Sequence, residues 1–127
     1  NNKQSNESDI MIKMLHRHTK KILKTVNANT LQSADLKFAQ LSYVDLQGAD
    51  LRHADLSHAW LREANFKGAD LSNVNLRHAR MRKADLQGAN LEGADLSHAD
   101  LEGANLQGAN LQGANLKNVV GLQQRSK

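Results

Sequence analysis

The sequence predicts an all-β solenoid over residues 31–120, wound as a four-sided β-helix of about four and a half coils and preceded by an α-helical cap. Three observations predict it. A leucine stands at every fifth position from Leu31 to Leu116, eighteen units without insertion or deletion, and only Phe66 and Met81 replace it. From Ala34 onward an alanine or valine stands two residues before each of these positions. Columns also recur at a spacing of twenty: Gly48, Gly68, Gly88 and Gly108 form one, and His58, His78 and His98 another.

A period of five matches neither the 3.6 of a helix nor the 2.0 of a long strand, so the chain must turn once per unit. Within a unit, alanine and leucine lie two apart, which is the strand spacing that puts both side chains on one face. Their layers fill the interior. The core therefore comprises Leu46, Leu51, Leu56, Leu61, Phe66, Leu71, Leu76, Met81, Leu86 and Leu91, with their neighbours in the series. A spacing of fifteen would instead mix Gly48, Glu63, His78 and Gly93 in one column, so four units close a coil. With coils about 4.8 Å apart, the solenoid is roughly 20 Å tall.

Residues 1–30 form a polar start and a capping element. Asn1 to Glu7 has little apolar surface to offset ordering entropy. Ser8 or Asp9 can then cap a helix from about Ile10 to Val26. On a helical wheel Met11, Met14, Leu15, His18, Ile22 and Val26 gather on one side, and Lys13, Arg17, Lys20, Lys21 and Lys24 on the other. The apolar stripe is expected to cover the open first coil, since a β-helix must hide its end edges. The competing reading is a basic amphipathic helix that docks on a membrane surface or a partner groove.

The block from Ala84 to Leu116 reads Ala-Asp-Leu-Gln-Gly, Ala-Asn-Leu-Glu-Gly, Ala-Asp-Leu-Ser-His and onward. This pattern resembles the pentapeptide-repeat family over 90 of the 127 residues. The resemblance implies a right-handed quadrilateral β-helix. It implies no single function, because the family includes scaffolds, regulators, secreted effectors and a branch of DNA mimics that bind gyrase and protect it from quinolones.

The Asp or Asn before each leucine is expected to bind nearby backbone amides at the corners; a residue repeated in nearly every unit belongs to the fold. The informative residues break the pattern. One corner collects Phe38 and Gln40, then His58 and Trp60, His78 and Arg80, His98 and Asp100 in successive layers. Trp60 and Arg80 can form a cation–π pair, and Trp, Arg, His and Phe together have the composition of a protein-binding hot spot. The bland alternative is that like side chains merely stack on like between coils. Metal binding by the histidines is not favoured, because Asp100 alone is at hand to orient a ring. A ladder of three imidazoles should lose stability as it charges in acid.

The formal net charge of +4 is unevenly placed. Residues 1–30 carry +4, the repeats −2, and the tail of residues 121–127 adds Arg125 and Lys127. Within the repeats, Arg52, Arg62, Lys67, Arg77, Arg80, Arg82 and Lys83 make a basic middle band, followed by Asp85, Glu92, Asp95, Asp100 and Glu102. There is no cysteine for a disulfide, thiolate metal site or thiol nucleophile. No apolar run reaches the length of a membrane span or a signal-peptide core. A soluble, cytoplasmic protein is therefore expected, with periplasmic and lumenal placement left open.

No nucleophile stands beside a base, no glycine loop cradles phosphate, and a leucine-filled solenoid leaves no interior pocket, so an enzyme is not expected. No cofactor or metal is expected either. The leading expectation is an interaction or scaffold module for an unknown protein partner, using the Phe38, His58, Trp60, His78, Arg80 and His98 corner. Nucleic acid or an anionic membrane, met by the basic helix and middle band, is the alternative from another class. Gyrase binding by DNA mimicry ranks below both, because a mimic needs a long acidic surface. After Leu116 come Val119, Val120 and Leu122 and a basic tail too short for a second helical cap, so either these last residues fold over the open coil or two copies meet there end to end, and the homodimer through the C-terminal coil is the favoured expectation.

Overall fold

The computed structural model describes residues 11–122. Along residues 31–120 single parallel bridges join positions twenty apart, from Asp35 with Asp55 and Gln40 with Trp60 up to Asp100 with Val120. Each coil thus takes twenty residues and four corners. Coil is stapled to coil by paired backbone bonds: the Leu41 N–H donates to the Trp60 carbonyl at 2.8 Å, and the Trp60 N–H donates to the Ala39 carbonyl at 2.9 Å.

Every corner is a tight turn, closed by the alanine N–H donating to the preceding leucine carbonyl, as in Ala39 to Leu36 at 3.1 Å. Its third residue has positive φ, the mark of a type II turn. Glycine holds that position in the 48, 68, 88 and 108 column, with φ from 67° to 76°. Gly93, Gly103 and Gly113 hold it at three further corners, and side chains at the others. His58, His78 and His98 sit at φ 59°, 58° and 62°, in a region that histidine enters more readily than most residues. The Asp/Asn side chains brace the same corners: Asp45 Oδ1 accepts from the Gln47 N–H at 3.2 Å, and Asn65 Oδ1 from the Lys67 N–H at 3.0 Å. Asp35, Asp55, Asn75, Asp95 and Asn115 lie one above another through successive bridges.

The interior is built from apolar layers, with Ser57, Asn65 and Ser97 the buried polar residues among those described. Leu46, Leu51, Leu56, Leu61, Phe66, Leu71, Leu76, Met81, Leu86 and Leu91 are all buried, with an alanine or valine layer beside them. No helix among the described residues is long and apolar enough to cross a membrane.

The N-terminal element differs from the expected helix. Met11–His16 (β1) and Ile22–Asn27 (β2) form an antiparallel hairpin, and β1 pairs on its other side with Val44–Asp45 (β3), giving the sheet order β2-β1-β3. Ser8, Asp9 and Ile10, the expected start of the helix, lie outside the described residues. The apolar residues spread over positions 11–26 fit a helical wheel, but those of the first strand fit strand alternation as well: Met11 and Lys13 are exposed, Ile12 is half-buried and Met14 is buried. Tertiary hydrogen bonding decides between the two. The first coil leaves the lower edge of Val44 and Asp45 without a coil beneath it, and a strand can pair with that edge. A helix has already spent its backbone groups. The covering role is filled by the hairpin: Met14 joins the solenoid core, and Ile12, Leu23 and Val26 pack against it.

The hairpin is pinned to the solenoid at its tip. The Arg17 N–H donates to the Tyr43 carbonyl at 2.6 Å, and Arg17 Nη1 to the Glu63 carbonyl at 2.9 Å. The His16 ring stacks on Tyr43 with centroids 5.2 Å apart. At the other end, Leu106, Leu111 and Leu116 are only half-buried and Val120 is 51% exposed. Among the described residues, the N–H groups of those three leucines have no backbone partner.

Candidate functional site

One side of the solenoid departs from the rest, and its geometry follows from the turn. The positive-φ residue of each corner points its side chain outward, and the bridges place the same residue of the next coil directly above. Phe38, His58, His78 and His98 therefore form a continuous ladder, with ring centroids 4.8, 4.8 and 4.7 Å apart and interplanar angles of 15°, 7° and 6°. Parallel stacked rings aim their nitrogens side by side, away from any common point. Among the described residues no group of three His, Cys, Asp or Glu side chains could hold a metal ion.

Two residues along the chain from the ladder runs the strand column Gln40, Trp60, Arg80 and Asp100. The Arg80 guanidinium lies over the Trp60 ring at 3.9 Å from its centroid, close enough for a cation–π contact. Trp60 is nonetheless 42% exposed and Phe38 62% exposed. Beyond that column, at the next corner, stand Arg62 and Arg82. Ladder and arginine corner form the banks of a surface trough of about 620 Å³, with Trp60, Ala79, Arg80 and Asp100 in its bed. A second hollow of about 440 Å³ lies beside Trp60, against Gln40, Ser42 and hairpin residue Leu23.

The electrostatics of the trough are graded along the axis. Asp100 accepts a hydrogen bond from Arg82 Nε at 2.8 Å, and that bond holds its carboxyl below the usual carboxylate range. Arg62 and Arg80 have no carboxylate within 4.0 Å among the described residues, whereas Arg52, Arg77 and Arg82 do. Partial removal from solvent lowers the His78 pKa below its ordinary 6.5, and the neighbouring charges of His98, His58 and Arg77 lower it further.

The six corner residues named from the sequence, Phe38, His58, Trp60, His78, Arg80 and His98, all line this one trough. Sequence reading missed Arg62 and Arg82 as its opposite bank. They recur at the same spacing of twenty but belong to the following unit, where the sequence shows them only as part of the basic middle band. The expected basic helix face is corrected with the helix: Lys13 and Lys24 lie on the two hairpin strands, while Arg17, Lys20 and Lys21 sit at or beside the tip. Arg17 Nη1 donates to the Glu63 backbone carbonyl, and Lys20 Nζ donates to the Arg17 carbonyl at 3.1 Å.

Comparison with known proteins follows the repeats. The family model for pentapeptide repeats matches in eight copies, over residues 30–68, 49–88 and 84–120. A pentapeptide repeat protein (Rfr23) from the cyanobacterium Cyanothece 51142 is 40% identical, with a TM-score of 0.69, covering 70% of this chain and 60% of that one. A pentapeptide repeat protein from the Arabidopsis thaliana thylakoid lumen is 32% identical over 67% of this chain and 63% of its own, with a TM-score of 0.45. HetL, a protein involved in heterocyst differentiation regulation in Nostoc, is 41% identical over 72% of this chain and 46% of its own, with a TM-score of 0.37. The chain thus spans less than two thirds of the length of these structures. No curated protein matches it.

Proposed function

Since the chain belongs to the pentapeptide-repeat family, whose members fold as right-handed quadrilateral β-helices, we propose that it is a non-enzymatic interaction module that docks a protein partner on the trough between the imidazole ladder and the Arg62/Arg82 corner. The observation that carries this reading is the exposure of Trp60 under Arg80, beside an exposed Phe38. Tryptophan and arginine are the residues most enriched at binding hot spots, and rigid walls present them without the entropic cost of ordering a loop.

Quantitative affinity capture tests it. Proteins retained by the native chain should be lost with Trp60→Ala/Arg80→Ala and kept with Gln87→Ala, which alters the opposite side. Equal retention by both variants contradicts the assignment. A gyrase-binding DNA mimic is disfavoured, because the repeats carry only −2 in net charge and Asp50, Asp95 and Asp100 are matched by arginines. A nucleic-acid or membrane role through a basic helix face loses that face, because Lys13 and Lys24 lie on separate strands of the hairpin and Arg17 Nη1 is turned onto the Glu63 backbone carbonyl.

The half-buried Leu106, Leu111 and Leu116 favour a second feature: two copies meeting through their last coils about a twofold axis. Light scattering should give a dimer mass that drops to the monomer with Leu111→Lys. A monomer at all concentrations overturns the dimer alone and leaves the docking trough standing.

A further inference from the structure

The two faces of Trp60 are used differently. Arg80, one coil on, covers one face at 3.9 Å. Gln40, one coil back, bridges to Trp60 on the other side, where the second hollow opens toward Leu23 and Ser42. This hollow has one planar aromatic wall, one aliphatic wall, and an amide and a hydroxyl that can each donate and accept. The trough on the other side of the same indole carries two guanidiniums, Arg62 and Arg80, without carboxylate partners among the described residues. Imidazole edges of His58 and His78 line its far bank. Planar ring and anion are thus provided for on adjoining surfaces, and both hollows fall within the usual range for small ligands.

We propose that these adjoining surfaces form a nucleoside phosphate site. The base lies on the Trp60 face turned away from Arg80, with its edge met by Gln40 and Ser42, and the phosphate lies against Arg62 and Arg80. An indole between a guanidinium and a base combines cation–π attraction on one face with stacking on the other, the arrangement by which aromatic platforms hold bases without sequence preference. Guanidinium forks match phosphate oxygens in a way that a lysine point charge does not. The site stands on the uncompensated arginines and the hollows flanking Trp60, and holds whether or not a protein also docks on this side.

Trp60 is the sole tryptophan, so its emission reports on this site alone. The folded chain is titrated separately with ADP, adenosine, inorganic phosphate and a short single-stranded oligonucleotide, while imidazole proton resonances of His58 and His78 are followed by NMR. ADP should bind saturably, more tightly than adenosine or phosphate alone. Arg62→Gln should weaken ADP about tenfold or more, as expected for a lost charged hydrogen bond, with unchanged circular dichroism. An unmoved indole together with unmoved imidazoles at millimolar ADP overturns the proposal. So does phosphate binding as tightly as ADP, binding undiminished in Arg62→Gln, or response to the oligonucleotide without response to ADP.

Discussion

Two corners of the same solenoid make a controlled comparison. The column Gly48, Gly68, Gly88, Gly108 and the column Phe38, His58, His78, His98 occupy the same turn position with nearly the same backbone, φ 67–76° against 58–62°. A Cβ at Gly48, Gly68 or Gly88 would meet nothing within 4 Å, so glycine is kept there by conformation, not by space. At the other corner, side chains are held in the left-handed region at a cost of roughly 1–2 kcal/mol each. Stacking at 4.7–4.8 Å offsets part of it. The fold is satisfied by glycine; a corner that carries bulky rings instead is not explained by the needs of the coil.

The comparison can be broken most forcefully in the core. Leu76 and Leu86 are both fully buried, one beneath each corner. Leu76→Ala and Leu86→Ala should each cost about 2–5 kcal/mol in urea unfolding, and a gap between them as large as the effect itself would show that the two sides are built differently. Next in size is the turn. Gly68→Ala should cost about 1–2 kcal/mol from backbone conformation alone. His78→Gly should change stability by less than about 1 kcal/mol, since relief of the left-handed side chain opposes the added chain entropy of glycine and the lost stacking.

The smallest effect is on pH dependence, and it belongs to one corner only. The folded His78 has a lowered pKa, so below its unfolded value of 6.5 the unfolded chain binds more protons, and stability falls as pH drops from there toward the folded value. The thermal midpoint of the native chain should therefore be lower at pH 5 than at pH 7.5 by more than in the variant with glycine at positions 58, 78 and 98. Equal shifts in both would remove the ladder from the explanation.

The walls of this molecule were far more legible than its ends. Column counting at twenty foretold the stacking of His58, His78 and His98 and the Trp60–Arg80 pair, because in a solenoid spatial neighbours are sequence neighbours at a fixed offset. That logic stops where the repeat stops. Met11 to Asn27 has no column to belong to, and its choice of hairpin over helix was set by the unpaired edge at Val44 and Asp45, a partner invisible to local periodicity. Leu23 near Trp60 was out of reach for the same reason. Arg62 and Arg82 were in reach, but a trough spans two successive corners and must be sought across them.

The central claim, that the imidazole–tryptophan–arginine side faces a partner while the glycine side does not, is tested most directly by photo-crosslinking in living cells of the native organism. A photoreactive residue is placed at Ser42 on one side or at Gln87 on the other, in chains with unchanged unfolding profiles. The account predicts a discrete crosslinked protein from position 42, lost when Arg80→Ala is added, and none from position 87. A discrete crosslink from position 87 with none from position 42 would contradict it.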